Sequence, residues 1–258
     1  MYKRQSAISE FNKIIDGKNA IAQNAYYNLA QSYLNSDQKQ QALNAFKNAS
    51  EMDFDAKIQE DAFLNYAKLG YEIGNSYTSP SQVFINYLTK YPNSASKEEM
   101  ETLLIDSFIT SKNYKEAMDL LENNRNFSDK VAYQKVAYYY GIELYEQGDY
   151  RNASINFDKS LTERRDPVIT AKATFWKAES DFNLNRIQEA LIGYKEFAGM
   201  SGARGAKEVE NLDYNIAYAY FRLKEYERAI AYFERYANNS EKDKARRNDA
   251  LTLSLIHI

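Results

Sequence analysis

The chain has 258 residues, 44% of them hydrophobic, and its 33 basic and 36 acidic residues are interspersed to a net charge of −3. A balance this even gives no field strong enough to gather nucleic acid or an anionic membrane surface. The absence of Cys excludes disulfides, thiolate zinc sites and cysteine nucleophiles, and no apolar run approaches membrane-spanning length.

Tyr (23) and Phe (13) far outnumber Pro (3) and Gly (9), a composition of large rings on long helices with few breakers. At the N-terminus, Met1 to Gln5 (MYKRQ) back-translates as the complementary strand of a transposase adaptor used in sequencing libraries. Leu253 to Ile258 (LSLIHI) back-translates as the same element. Residues 1–5 and 253–258 are therefore read as translated adaptor, leaving residues 6–252 as an array truncated at both ends. His257, the single His, falls in that tail and carries no functional argument.

Helical periodicity then runs down the chain. Ala7 with Phe11 reads as the second helix of a hairpin whose first is cut off, followed by helices over 19–35 and 38–52. Further helices are expected over 56–73 and 81–90, with a longer turn, GNSYTSP, between them. The next are 96–111 and 114–124, then 131–147 and 150–162, then 168–184 and 187–198. After the loop AGMSGARG come 206–223 and 226–238, and a last helix over 242–252. Pro80, Pro92 and Pro167 all fall in turns, where a missing N–H does no harm.

The stretch from Tyr138 to Ser160 shows the unit most clearly: two apolar stripes interrupted by Gly148 and Asp149. A lone hairpin of this kind leaves its stripes in water, so it needs copies on both sides. A pivot residue opening each second helix, with an aromatic or Leu four residues on, recurs at 7, 42, 83, 117, 153, 190 and 229. The intervals are 35, 41, 34, 36, 37 and 39 residues. Small residues twelve before the pivots (Ala30, Gly141, Ala178, Ala217) let helices approach closely. An apolar residue stands nine before most pivots, but Asp181 breaks that rule, and Val83 opens a degenerate copy.

Leu29, Ala30, Tyr33, Ala42, Phe46 and Ala49 together resemble the tetratricopeptide repeat family, and the likeness covers nearly all of residues 6–252. The resemblance implies an all-α, right-handed α-solenoid of antiparallel helix hairpins. It implies a protein–protein interaction scaffold rather than an enzyme, and speaks strongly for fold and weakly for function.

Nothing in the chain supplies catalytic, cofactor-binding or metal-ligating machinery. Gly199, Gly202 and Gly205 with Arg204 and Lys207 lack a preceding strand and dinucleotide spacing, so an ordinary connection is expected. Glu98, Glu99 and Glu101 lie in a first helical turn, where they meet the macrodipole. Lys242, Lys244, Arg246 and Arg247 are diluted by acids and read as a solvated face.

The surface that could bind lies on the first helices. Tyr138, Ile142 and Tyr145 recur at i, i+4 and i+7. Phe175, Glu179 and Phe182 follow suit, as do Tyr214, Tyr218 and Phe221, and Tyr27, Gln31 and Leu34. In the family these places line the concave groove, so the resemblance implies an aromatic ladder flanked by Lys135, Lys172 and Arg222. Such rings suit a helix or extended segment of another polypeptide. They equally suit packing between adjacent repeats, and both readings stand open here. Replacing Tyr138, Phe175 and Tyr214 with Ala separates them, by lost binding or by unfolding.

Two settings compete: a scaffold in bacterial envelope or periplasmic assembly, by analogy with Bacteroidota-like arrays, and the sensory or regulatory region of a larger enzyme or signalling protein. Glycan binding through the aromatic face is a third idea. Compartment and partner identity stay open.

Overall fold

The computed structural model describes residues 9–11, 14–15, 17–123, 130–239 and 244–255. Residues 1–5 and 256–258, within the suspected adaptor, lie outside them; residues 253–255 continue the last helix. The fold is an all-α solenoid of helical hairpins, with no strand among the described residues. The chain divides into two compact units, Met1–Lys112 and Asn113–Ile258.

The first unit contains α1 (Ala20–Leu34), α2 (Lys39–Glu51), α3 (Ala56–Ile73), α4 (Pro80–Lys90) and α5 (Lys97–Thr110). The second contains α6 (Tyr114–Asn123), α7 (Lys130–Glu146), α8 (Tyr150–Glu163), α9 (Pro167–Asn183), α10 (Ile187–Gly199), α11 (Leu212–Arg222), α12 (Tyr226–Asn239) and α13 (Lys244–Leu255). Within each unit, a helix packs mainly on the helices just before and after it in the chain. Asn19, Asp55, Ser79, Asp149 and Asp166 cap helix starts with side-chain oxygens, and Pro80 and Pro167 occupy the first helical turn.

The hairpin turns share one device. Five residues before the pivots stand Asp37, Lys112, Gly148, Asn185 and Lys224, with φ of 59°, 58°, 81°, 63° and 62°. Around four of them the chain closes a Schellman turn: Gln38 N–H donates to Tyr33 O, Asp149 to Leu144, Arg186 to Asp181 and Glu225 to Tyr220, at 2.8 to 2.9 Å. Only one of the five is Gly, so the glycine signal at 148 was the visible case of a turn that Asp, Asn and Lys also make.

The pivots Ala42, Val83, Ala117, Ala153, Ala190 and Ala229 are all buried, as are the rings four residues on at Phe46, Tyr87, Phe157, Tyr194 and Phe233. Small side chains are required where expected. A Cβ at Gly141 would sit 2.6 Å from the Phe157 ring, and one at Gly193 would sit 2.8 Å from Ala178 Cβ.

Two expectations need correction. The helix expected over 206–223 begins only at Leu212, because Lys207–Asn211 is a 3-10 turn held by Glu208, whose Oε1 accepts from Trp176 Nε1 at 3.1 Å. The glycine loop is also more than a permissive turn: Gly202 presses on the start of α9, where a Cβ would lie 2.0 Å from the Pro167 carbonyl oxygen.

Candidate functional site

The first-helix face divides by register. Fifteen residues before four pivots stand Tyr27, Tyr138, Phe175 and Tyr214, and each ring meets the aromatic four residues past its own pivot. Tyr27 lies 6.0 Å from Phe46, Tyr138 6.2 Å from Phe157, Phe175 5.8 Å from Tyr194 and Tyr214 5.9 Å from Phe233. These rings close the inside of their own hairpins, with Tyr138 and Phe175 7% and 5% exposed. Burial pushes the Tyr138 phenol well above its ordinary range. Tyr27 and Tyr214 are half-buried, and their hydroxyls donate to carboxylates one first helix further on. Tyr27 reaches Asp61, and Tyr214 reaches Asp249 at 2.6 Å.

Four and seven residues further along, the second unit presents a different surface. Ile142, Tyr145, Phe182, Tyr218 and Phe221 are half-buried and Arg222 is exposed. They form a linked strip. Tyr145 packs on Trp176 at 5.0 Å and accepts from Asn183 Nδ2 at 3.2 Å. Beside it, the Arg222 guanidinium lies 5.7 Å from the Phe182 ring and donates to Asn185 Oδ1 at 2.7 Å. Tyr218 and Phe221 meet as a tilted pair, with ring centroids 6.2 Å apart, on the same helix as Arg222. Lys135 and Lys172 lie partly buried on α7 and α9, nearer the helix starts and away from this strip. Tyr27 belongs to the first unit.

Glu179 anchors the strip. Its carboxylate accepts from Tyr194 Oη at 2.7 Å, from Asn215 Nδ2 at 2.5 Å and, weakly, from Tyr145 Oη at 3.5 Å. Those donors come from α7, α10 and α11, so one side chain on α9 ties three successive hairpins. Burial raises the Glu179 carboxyl above its ordinary range, against the lowering effect of the Tyr194 and Tyr145 hydrogen bonds and the Arg246 charge. Burial, and next the Glu179 charge, pushes the Tyr145 phenol up to about 12.

The sign of the pH effect follows. An acid whose folded-state affinity for protons exceeds its unfolded one adds stability at low pH and loses it as pH rises through the folded value. Glu179 therefore opposes the usual carboxylate trend. Glu179→Gln is expected to remove a downward component from the stability of the second unit as pH rises from the ordinary glutamate value of about 4.3 upward. Urea denaturation of both proteins across that range checks it; parallel pH profiles would refute it.

The sequence reading did not single out Asn183 or Asn215. Asn215 did carry a signal in its position, inside a helix where Asn is a poor former and needs another reason to be, whereas Asn183 is the last residue of α9, an ordinary place for Asn. The reading also missed Gln23 and Gln134, each nineteen residues before a pivot and 0% and 1% exposed. Gln134 Oε1 accepts from the N–H groups of Arg165 and Asp166 at 2.9 and 2.8 Å, and its Nε2 donates to Thr170 Oγ1 at 2.9 Å. Gln23 Oε1 accepts from Asp55 N–H at 2.7 Å, and its Nε2 donates to Met52 O at 2.8 Å. Both clasp the chain entering the next hairpin, and in both an Asp thirty-two residues on caps that hairpin's first helix.

Residues 23–55 and 214–243 match the tetratricopeptide repeat family model. Among solved structures, the chain is similar to the C-terminal part of a TPR repeat-containing protein from Cytophaga hutchinsonii. That match has a TM-score of 0.57 at 19% identity, covering 96% of this chain and 95% of that one. Weaker likenesses are to PilF of Pseudomonas aeruginosa (TM-score 0.41, 16% identity, 90% and 80% covered) and to the TPR2AB domain of yeast Sti1 in complex with an Hsp90 peptide (0.42, 14%, 98% and 96%). No curated protein matches the chain in sequence. No helix among the described residues is long and apolar enough to cross a membrane. The repeat fold is generally a non-catalytic scaffold for protein interaction. Residues 23–55 and 214–243 thus carry tetratricopeptide repeats, and the hairpin register of pivots, turns and paired rings runs on between them.

Proposed function

We propose that the chain is a non-catalytic scaffold that holds segments of other polypeptides along the first-helix face of its second unit. The observation that supports this most is the linked strip of Tyr145, Phe182, Tyr218, Phe221 and Arg222, which keeps ring faces and a guanidinium at the surface. Aromatic and Arg side chains in this state are the residue types that dominate polypeptide recognition. Tyr138 and Phe175 contribute by holding the helices that present the strip. Their substitution reports on the fold rather than on binding. Neither nucleic acid nor a cofactor enters this reading.

A peptide display library selected on the intact chain supplies a test. Phe182→Ala and Arg222→Ala are expected to weaken the selected peptide by about 2 kcal/mol for the better of the two, with the thermal transition retained. Equal affinity in wild type and both variants would exclude the strip. Tyr138→Ala is expected instead to lower the transition itself.

A further inference from the structure

The second unit has another concavity, formed by its second helices. α8 and α10 both pack on α9 but leave a groove of about 620 Å³ between them, floored by α9. The floor is shut: Gly193 of α10 comes so close to Ala178 that no side chain fits between. The walls carry the chemistry. Four carboxylates, Asp158, Asp181, Glu189 and Glu196, face two cations, Arg164 and Lys177. Asp181 is 2% exposed and already holds Lys177 at 2.9 Å and Arg186 at 3.2 Å. Lys177 is consequently committed, standing 3.8 Å from Asp158, whose side chain remains 62% exposed. Arg164 reaches Glu196 at 3.5 Å across the groove, with both side chains about half exposed. Glu189 has no ion pair or side-chain hydrogen bond among the described residues.

Leu161 and Ile192 line the same groove, and Ile192 is 57% exposed on a helix whose outer face is otherwise polar. An apolar wall beside incompletely matched carboxylates fits one kind of side chain: a long aliphatic stem ending in a cation. A small free cation would use the carboxylates and leave Leu161 and Ile192 in water.

We propose that this groove docks a basic segment of a partner polypeptide, seating a Lys or Arg with its stem along Leu161 and Ile192 and its head among Asp158, Glu189 and Glu196. The site is separate from the first-helix strip, so the scaffold offers two surfaces of different chemistry. Because the carboxylates lie at the rim, affinity here falls with salt.

The test uses the intact chain and two fluorescent peptides, one alternating Arg and Ala and one alternating Glu and Ala. Anisotropy is expected to show binding of the first only. The combined Asp158→Asn, Glu189→Gln and Glu196→Gln variant is expected to lose about tenfold in affinity and Ile192→Lys at least as much. Phe182→Ala, on the other surface, is expected to bind like wild type. Unchanged affinity in both groove variants, equal binding of the two peptides, or spermine competing as well as the unlabelled Arg peptide would overturn the proposal. The altered residues are exposed apart from their rim contacts, and retained melting curves would confirm folded variants.

Discussion

Gln134→Leu is expected to destabilise the second unit by about 3 kcal/mol, although the new side chain has nearly the same volume and greater hydrophobicity. The Gln134 amide is 1% exposed and uses both its ends, accepting from two backbone N–H groups and donating to Thr170 Oγ1. Leucine leaves those partners facing hydrocarbon, and an orphaned buried polar group costs about 1 to 3 kcal/mol. The Arg165 N–H, on an exposed residue, can find water, which limits the total. Hydrogen exchange gives the sharper readout, since protection should fall at 165–170 before it falls within α8. Gln23→Leu should act alike in the first unit, where Asp55 N–H and the Met52 carbonyl are the partners. A variant as stable as wild type would mean that the clasp is ornamental.

Asp181 gives the second large effect, and its sign depends on the replacement. Nine residues before its pivot, Asp181 occupies the place held elsewhere by Tyr33, Phe108, Leu144 and Tyr220. It lies 2% exposed against Lys177, Arg186 and Ser154 Oγ. Asp181→Ala removes the buried negative partner of Lys177 and Arg186, leaving Lys177 only Asp158 at 3.8 Å among the described residues, and opens a void, with an expected loss of about 3 kcal/mol. That figure sits at the low end for a buried pair because Lys177 and Arg186 are 27% and 48% exposed and can turn to solvent. Asp181→Leu restores the apolar pattern, fills the void and lets both cations hydrate, so it is expected to fall within about 1 kcal/mol of wild type. Urea denaturation of the two variants side by side decides the matter. Equal losses would show that the ions, and not the packing, hold the α7–α8 and α9–α10 hairpins together.

These two positions show what the sequence made legible. Period, helix spans and pivots could be read because each rests on volume and periodicity: Ala153 must be small, Phe157 must be apolar, and every pivot but Val83 repeats that pattern. Asp181 was visible as an exception, but its partner Ser154 was not, because Ser154 comes from α8, whose facing is a tertiary fact. Gln134 was invisible for the opposite reason. A lone Gln on a helix reads as surface, and only the backbone of the next hairpin turns it into a buried anchor. The split of the aromatic ladder was legible as a question only. Tyr138 and Tyr145 both lie on the expected stripe, and it is the two helical turns between them that place one ring inside the hairpin and the other at its edge. The start of α11 at Leu212 escaped because Trp176, on a preceding helix, pins Glu208 and holds the segment before it in a tighter coil.

The glutamine clasps also bear on how such an array yields to force. In a stack whose members touch only their neighbours, a pull along the chain strips hairpins in sequence, and the weakest junction sets where the stripping pauses. Gln134 couples α7 to the chain entering α9, so the α7–α8 and α9–α10 hairpins should let go as a pair. A protein arranged in this way would lengthen in unequal steps, with the doubled step marking the place of the amide.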